Sequence, residues 1–239
     1  MSKASAIRTA TLVLLLGVLG GCADFAGVAP SAPRAVEAPV YRVGDRWVYR
    51  AEDGLRIKTT WEEKREIVAR DGDGHTLRVT QGGPAVNTER SEIWSAPGRL
   101  RAGAVFDDEM RRFRDDLRFL QFPLASGDSW NQWVANYNEQ LRRDGNINRY
   151  ARVRGWRTIA TPAGSFDAIE VVVEMRLDDD EFWRQGTHCL YRLWYAPAVR
   201  GFVREQKDAW WQESNIVETG RTQSQHAVLE LVSFTPGKD

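Results

Sequence analysis

Two hydrophobic patterns divide the chain. The first is one unbroken run near the start, Leu12-Val13-Leu14-Leu15-Leu16-Gly17-Val18-Leu19, preceded by Lys3 and Arg8. The apolar stretch amounts to about a dozen residues, whereas a membrane-spanning helix needs roughly 20. A short basic segment followed by a short apolar core is the pattern of a secretory signal peptide. The second pattern begins at Tyr41 and has a period of two. Strand side chains repeat every two residues, so alternating apolar and polar positions mark strands with one buried face. Between the two patterns, residues 23–40 show no periodicity. They carry Pro30, Pro33 and Pro39 among alanines, the composition of an extended, semi-rigid tether.

The alternating part predicts a mainly β domain over residues 41–235, with a tail at 236–239. Trp47 and Tyr49 alternate with polar neighbours, and Ile57, Thr59 and Trp61 share one strand face. Asp71-Gly72-Asp73-Gly74 reads as a hairpin turn leading to Leu77 and Val79; it lacks the longer ligand set, ending in Glu, of a calcium loop. Residues 88–106 read as two short strands around Pro97-Gly98. Met110, Phe113, Leu117 and Leu120 have helical spacing, and a short helix is assigned to 110–120. Phe113, Leu117 and Phe119 also fit one strand face. Gly127-Asp128 leads into a strand holding Trp130, Val134 and Tyr137.

The clearest unit is 147–177. One strand runs to Ile159, Thr161-Pro162-Ala163-Gly164 turns, and a second strand follows. Proline presets the turn and glycine admits positive φ. In the second strand Ile169, Val171, Val173, Met175 and Leu177 face one way, and Glu170, Glu174 and Arg176 the other. That is a half-buried antiparallel strand, wet on one side. Asp178-Asp179-Asp180-Glu181 reads as a solvated turn. Cys189, Tyr191, Leu193 and Tyr195 alternate next door, and Val199–Lys207 is a further strand. Residues 208–222 look like a polar insertion carrying Trp210-Trp211, and Ala227, Leu229 and Leu231 open the last strand. The predicted fold is mainly β, an antiparallel sheet with one or two short helices.

Cysteine usage fixes the compartment. Cys22 follows Leu19-Gly20-Gly21, and an apolar residue, two small residues and a cysteine resemble the bacterial lipobox. The resemblance implies a signal peptide over 1–21, cut before Cys22, and acylation of the Cys22 thiol and new amine. Two or more acyl chains anchor a protein stably, at about 0.8 kcal/mol per buried methylene. In Gram-negative lipoproteins an aspartate directly after the cysteine favours the inner membrane. Here Ala23 takes that place and Asp24 comes one later, so the resemblance implies outer-membrane sorting with the domain facing the periplasm. With Cys22 carrying lipid, Cys189 has no partner in the chain and reads as a small buried hydrophobe.

Cutting the first 21 of 239 residues leaves 218, ample for one large β domain. Lys3 and Arg8 leave with the peptide, so 33 basic side chains become 31 against 33 acidic ones, a formal charge of −2. This balance argues against nucleic acid or an anionic lipid surface as partner. His75, His188 and His226 are scattered, and His188 and Cys189, adjacent on a strand, face opposite sides. There is no zinc-protease, nucleophile-elbow, phosphate-loop or dinucleotide signature. No catalytic residue, metal site or cofactor is assigned, and the chain reads as a non-enzyme, with an uncharacterised hydrolase as the alternative. Ten tryptophans spread over the predicted strands suit core packing, lining of an apolar pocket, or stacking on sugars.

Four motifs then occur in order: Gly44-x-x-Trp47-x-Tyr49, Phe122-Pro123-Leu124-x-x-Gly127-x-x-Trp130, Pro162-Ala163-Gly164-x-Phe166-x-Ala168 and Trp194-Tyr195-Ala196-Pro197-x-Val199. Together they resemble uncharacterised bacterial outer-membrane lipoproteins of the TapB-like kind, over about Tyr41–Phe234. The resemblance implies a half-barrel similar to the carriers LolA and LolB, with an apolar concave face, and it transfers no catalytic residue. A large apolar face must be covered or occupied. The candidate ligand-binding residues are Trp61, Val171, Val173, Met175, Tyr191, Leu193 and Tyr195. Two functions follow: a binding module for a lipid or other amphiphile, or a structural lipoprotein that meets an envelope protein partner and takes no ligand.

Overall fold

The computed structural model describes residues 35–54, 58–213 and 220–238. The signal peptide, Cys22, Asp24 and most of the tether lie outside the described residues, as do Ile57 and 214–219. Pro33–Asp239 forms one compact unit.

The alternation is realised as strands throughout: β1 (Arg46–Asp53), β2 (Thr59–Asp71), β3 (Gly74–Gly82), β4 (Asn87–Ala96), β5 (Arg99–Ala104), β6 (Met110–Arg118), β7 (Ser129–Asn138), β8 (Arg143–Thr161), β9 (Gly164–Arg176), β10 (His188–Ala196), β11 (Gly201–Glu213) and β12 (Arg221–Thr235). Each strand pairs with its chain neighbours. β1 also pairs antiparallel with β12, through Trp47↔Phe234 and Tyr49↔Leu231, so the sheet closes into a barrel. Closure removes the exposed edges on which another strand could pair. The mainly β, antiparallel architecture is as expected, and the sheet curls beyond an open half-barrel to completion.

A twelve-stranded barrel has a lumen wider than the eight-stranded ones that side chains just fill. Large side chains are therefore needed inside. Two apolar clusters supply the core. One holds Leu100, Leu117, Val134, Ile147, Val171, Val173 and Leu193, with Trp130 among its aromatic members. The other holds Trp47, Tyr49, Ile67, Trp194, Leu229 and Leu231.

Residues 110–120 correct the sequence reading. Residues 110–118 form strand β6, and the only helical element among the described residues is a 3-10 turn at Pro197–Val199. Phe113 and Leu117, four apart, lie on one face of a strand as well as of a helix. A bulge adds to the ambiguity: Leu100 pairs with Leu117 and Ala102 with Arg112, so residues 113–116 lie opposite Arg101 alone.

The described part of the 208–222 segment is paired rather than inserted. Asp208 pairs with His226 and Glu213 with Arg221, extending the β11–β12 hairpin. The acidic run after β9 is not simply solvated. Asp178 meets Arg111 at 3.0 Å, and buried Asp179 accepts from the Thr187 backbone N–H and hydroxyl, both at 2.6 Å. Glu170, expected on the wet side of β9, is buried between Arg157 (3.0 Å) and Arg192 (2.9 Å).

The end of the tether is docked. Val36 and Leu124 exchange two backbone hydrogen bonds of 2.9 Å, and Val36 is buried. The chain thus enters the barrel beside the connection between β6 and β7. At the tip of the β8–β9 hairpin, Gly164 has φ of +123°, and the Ala163 N–H donates to the Leu231 carbonyl at 3.1 Å.

Candidate ligand cavity

Between the two apolar clusters lies a cavity of about 110 Å3. Its wall takes Trp47, Tyr49 and Ile67 from one cluster and Leu120 and Tyr195 from the other. Gly98, Leu120, Arg200 and Gly201 bring it to the barrel end where Val36 docks. Ala104, at the far end of β5, marks its depth. Arg99 and Ala104 are five residue steps apart along the strand, about 17 Å at 3.4 Å per residue.

One side of the cavity is an aromatic belt. Tyr41 leans on His75 at 4.6 Å between ring centroids, and His75 stacks on Trp94 at 5.8 Å with only 6° between planes. Trp94 meets Phe119 edge-on at 5.4 Å, Phe119 meets Phe202 at 6.3 Å, and Phe202 meets Tyr195 at 5.9 Å. Such edge-to-face and stacked pairs add to the area they bury and hold the rings in place. Burial, helped by the charge of Arg70, pushes His75 down to about 4, so its imidazole is neutral at neutral pH.

The other side is an ion network drawn from β2, β4 and β11, joined by Gln81 of β3 and by Asp108 between β5 and β6. Arg65 of β2 binds Glu63 at 2.7 Å and also pairs with Glu205 of β11. Lys207 reaches Glu205 at 2.9 Å, and Gln81 donates to Glu63 at 2.8 Å. On β4, Arg90 meets Glu92 at 2.9 Å and pairs with Asp108. The Arg65 guanidinium lies 4.6 Å from the Tyr49 ring centroid, and the Tyr49 hydroxyl donates to the Phe202 carbonyl at 2.9 Å. Burial alone would raise the Glu205 carboxyl, but Arg65 and Lys207 outweigh it and hold it at about 2. Glu63 is likewise lowered: burial opposes, and Arg65, Lys207 and Arg90 prevail.

Of the candidate ligand residues, the cavity gathers one. Tyr195 lines it. Val171, Val173, Met175, Tyr191 and Leu193 are packed into the first cluster, where the Tyr191 hydroxyl donates to the Val105 carbonyl at 3.1 Å. Trp61 is half-buried against the second cluster. Cys189 is buried and unbridged, and burial pushes its thiol up to about 12, which keeps it unreactive. His188 lies on the other side of β10, stacked on Trp210 at 5.8 Å.

The ion network was not anticipated, yet it leaves a sequence signal. Glu63-x-Arg65, Arg90-x-Glu92 and Glu205-x-Lys207 are opposite charges two apart, each continuing an otherwise apolar strand face. Period-two charge pairs of this kind mark an inward face that carries its own counter-ions.

No family model and no curated protein matches the chain. Two solved structures do. A candidate exported protein with a YmcC-like fold from Bacteroides fragilis aligns at a TM-score of 0.53 with 15% identity, covering 84% of this chain and all of that one. A candidate lipoprotein from Parabacteroides distasonis aligns at 0.45 with 12% identity, over 84% of this chain and 100% of that chain. The first likeness shows the fold, and the barrel described above is YmcC-like.

Proposed function

We propose that this is a lipid-anchored protein of the outer membrane, of the TapB-like kind, whose barrel faces the periplasm and takes the apolar part of a small amphiphile into its cavity. The observation that carries the reading is a cavity set between two packed clusters, walled by aromatic rings and reaching the barrel end where the tether arrives. The lipobox-like Leu19-Gly20-Gly21-Cys22 supports the anchor. Since Val36 is docked, about 13 residues of chain separate it from Cys22, a reach on the order of 40 Å. The cavity mouth is thereby kept near a bilayer surface.

The volume sets the scale of the ligand. Drug-sized pockets run to roughly 300–1,000 Å3. A space of about 110 Å3 admits a short chain or a ring, not a whole phospholipid. Tryptophan emission of the barrel should therefore shift and saturate with amphiphiles of six to eight carbons more readily than with lysophospholipids. A flat titration, with no adduct in native mass spectrometry at high micromolar ligand, would reject the binding reading. The structural alternative would then stand; it is favoured by the sealed packing of Val171, Val173, Met175 and Leu193.

The anchor has its own test. Cys22→Ser should abolish acylation and move the protein from the membrane fraction to the soluble one. If the variant still behaves as an integral membrane protein, the first hydrophobic run is a retained span and the lipoprotein reading fails.

A further inference from the structure

The cavity's polar atoms do not all find partners among the described residues. Three lining side chains carry a buried nitrogen without one: Trp94 Nε1, Arg200 Nε and His75 Nδ1. The first two bear hydrogens and can only donate. His75, 7% exposed, is a third polar group with no partner among the described residues at that nitrogen. A buried donor with no acceptor costs as much as its full desolvation, so each such site selects for whatever can accept from it.

The charges of the cavity are in the opposite condition. Arg65, Arg90, Arg200 and Lys207 each already hold a carboxylate: Glu63 and Glu205, Glu92 and Asp108, Asp45, and Glu205 again. Asp45 also accepts from the Gly237 N–H at 2.7 Å. A ligand that brought a further charge would have to leave water without a free counter-ion, which is strongly unfavourable in a buried site. A neutral acceptor meets no such opposition. What the cavity can still accommodate is a hydrogen-bond acceptor without formal charge.

We propose that the cavity selects an uncharged amphiphile carrying a carbonyl or ether acceptor, an ester or amide above all, which takes the indole N–H of Trp94 while its apolar part lies among the aromatic rings. Trp94 is the donor assigned because it sits mid-belt, stacked on His75 and edge-on to Phe119. Arg200, in the wall near the tether end, is the second donor within the same wall. The proposal rests on the cavity-binding reading above and narrows its ligand class.

Three probes of closely similar chain length separate the possibilities: methyl hexanoate, the hexanoate ion and heptane. Binding to the Pro33–Asp239 barrel, a compact unit with a closed sheet and its own core, is read by ligand-observed NMR. Methyl hexanoate should bind about tenfold more tightly than either of the others, the worth of one well-made hydrogen bond. Trp94→Phe keeps the ring and removes the donor. It should bring the ester down to the affinity of heptane and leave heptane unchanged. Equal affinities for ester and heptane in the wild type would overturn the acceptor inference while leaving cavity binding intact, as would a preference for the hexanoate ion. The wild-type comparison holds even if the variant folds poorly. Binding by none of the three probes would overturn both readings. Membrane glycerolipids and free esters share this group. Flotation of the barrel with phosphatidylcholine vesicles, blocked by methyl hexanoate, assigns the membrane source, and binding of the ester without flotation assigns a free one.

Discussion

Glu205→Gln should destabilise the barrel by about 3 kcal/mol at neutral pH and flatten its loss of stability in acid. Glu205 is 2% exposed and sits between Arg65 and Lys207, the latter at 2.9 Å. Burial works against its charge, yet the two cations hold its carboxyl at about 2 against an ordinary 4.5. A carboxyl whose folded-state pKa is depressed stabilises the fold above its unfolded value and ceases to do so as pH falls through its folded value. The window here runs from about pH 4.5 down to about pH 2, and the displacement corresponds to about 3 kcal/mol. Glu63 is shifted the same way and adds to the same window.

The mutation gives an independent estimate of similar size. Glutamine preserves the shape but leaves Lys207 without its carboxylate and Arg65 with Glu63 alone. Breaking a buried pair from one side costs roughly 3–5 kcal/mol. Urea unfolding at pH 7, 4.5 and 2.5 checks both statements. Wild type should weaken steeply between the last two pH values, and Glu205→Gln should weaken less. Glu62→Gln is the control: Glu62 and its partner Lys64 are both 54% exposed, and its loss should stay within about 0.5 kcal/mol. Parallel pH slopes in wild type and Glu205→Gln would show that the network does not hold its charge as described.

The same residues mark what the local pattern of the chain discloses and what it hides. Alternation placed the strands because a sheet with one buried face writes its period into the chain; Val171, Val173 and Met175 face the core as read. It did not show closure, because pairing of Trp47 with Phe234 joins residues that no local pattern connects. Most of the candidate ligand residues belong to the longest apolar face, that of β9 and its neighbour β10. In a closed barrel such a face is the most tightly packed one, and only Tyr195 reaches the cavity. The cavity lies instead where aromatic rings and counter-ions from distant strands meet. Glu and Arg on a strand usually mean solvent, which disguises the charged positions of the cavity wall. Their period-two placement with Trp61, Ile67, Trp94 and Ala209 was the available sign. Glu170 and Asp179 escaped for the same reason: nothing local distinguishes a wet carboxylate from one covered by two arginines or capped by a threonine.

Gly98→Ala should cost about 3 kcal/mol, the largest effect expected of any added methyl group in the cavity wall. Gly98 closes the Pro97-Gly98 turn between β4 and β5, where Ala96 pairs with Arg99. Its φ of +77° after a proline is the second central position of a type II turn, which disfavours any side chain by roughly 1–2 kcal/mol. The surroundings add a second term. A Cβ at this position would stand 2.5 Å from the Leu120 carbonyl oxygen and 3.0 Å from its carbon. Those are backbone atoms, and they cannot swing aside. The Leu120 N–H donates to the Gly98 carbonyl at 3.1 Å, and Arg149 clamps the same segment through the carbonyls of Arg118 (2.9 Å) and Phe119 (2.8 Å). Overpacking against so fixed a wall costs about 1–3 kcal/mol more. Gly127 provides the comparison: its φ is +96° and nothing lies within 4 Å of its would-be Cβ, so Gly127→Ala should show the backbone term alone. Thermal and urea unfolding of both variants separate the two terms. If Gly98→Ala and Gly127→Ala lose the same stability, the β4–β5 turn does not press against Leu120, and that wall of the cavity is looser than the geometry indicates.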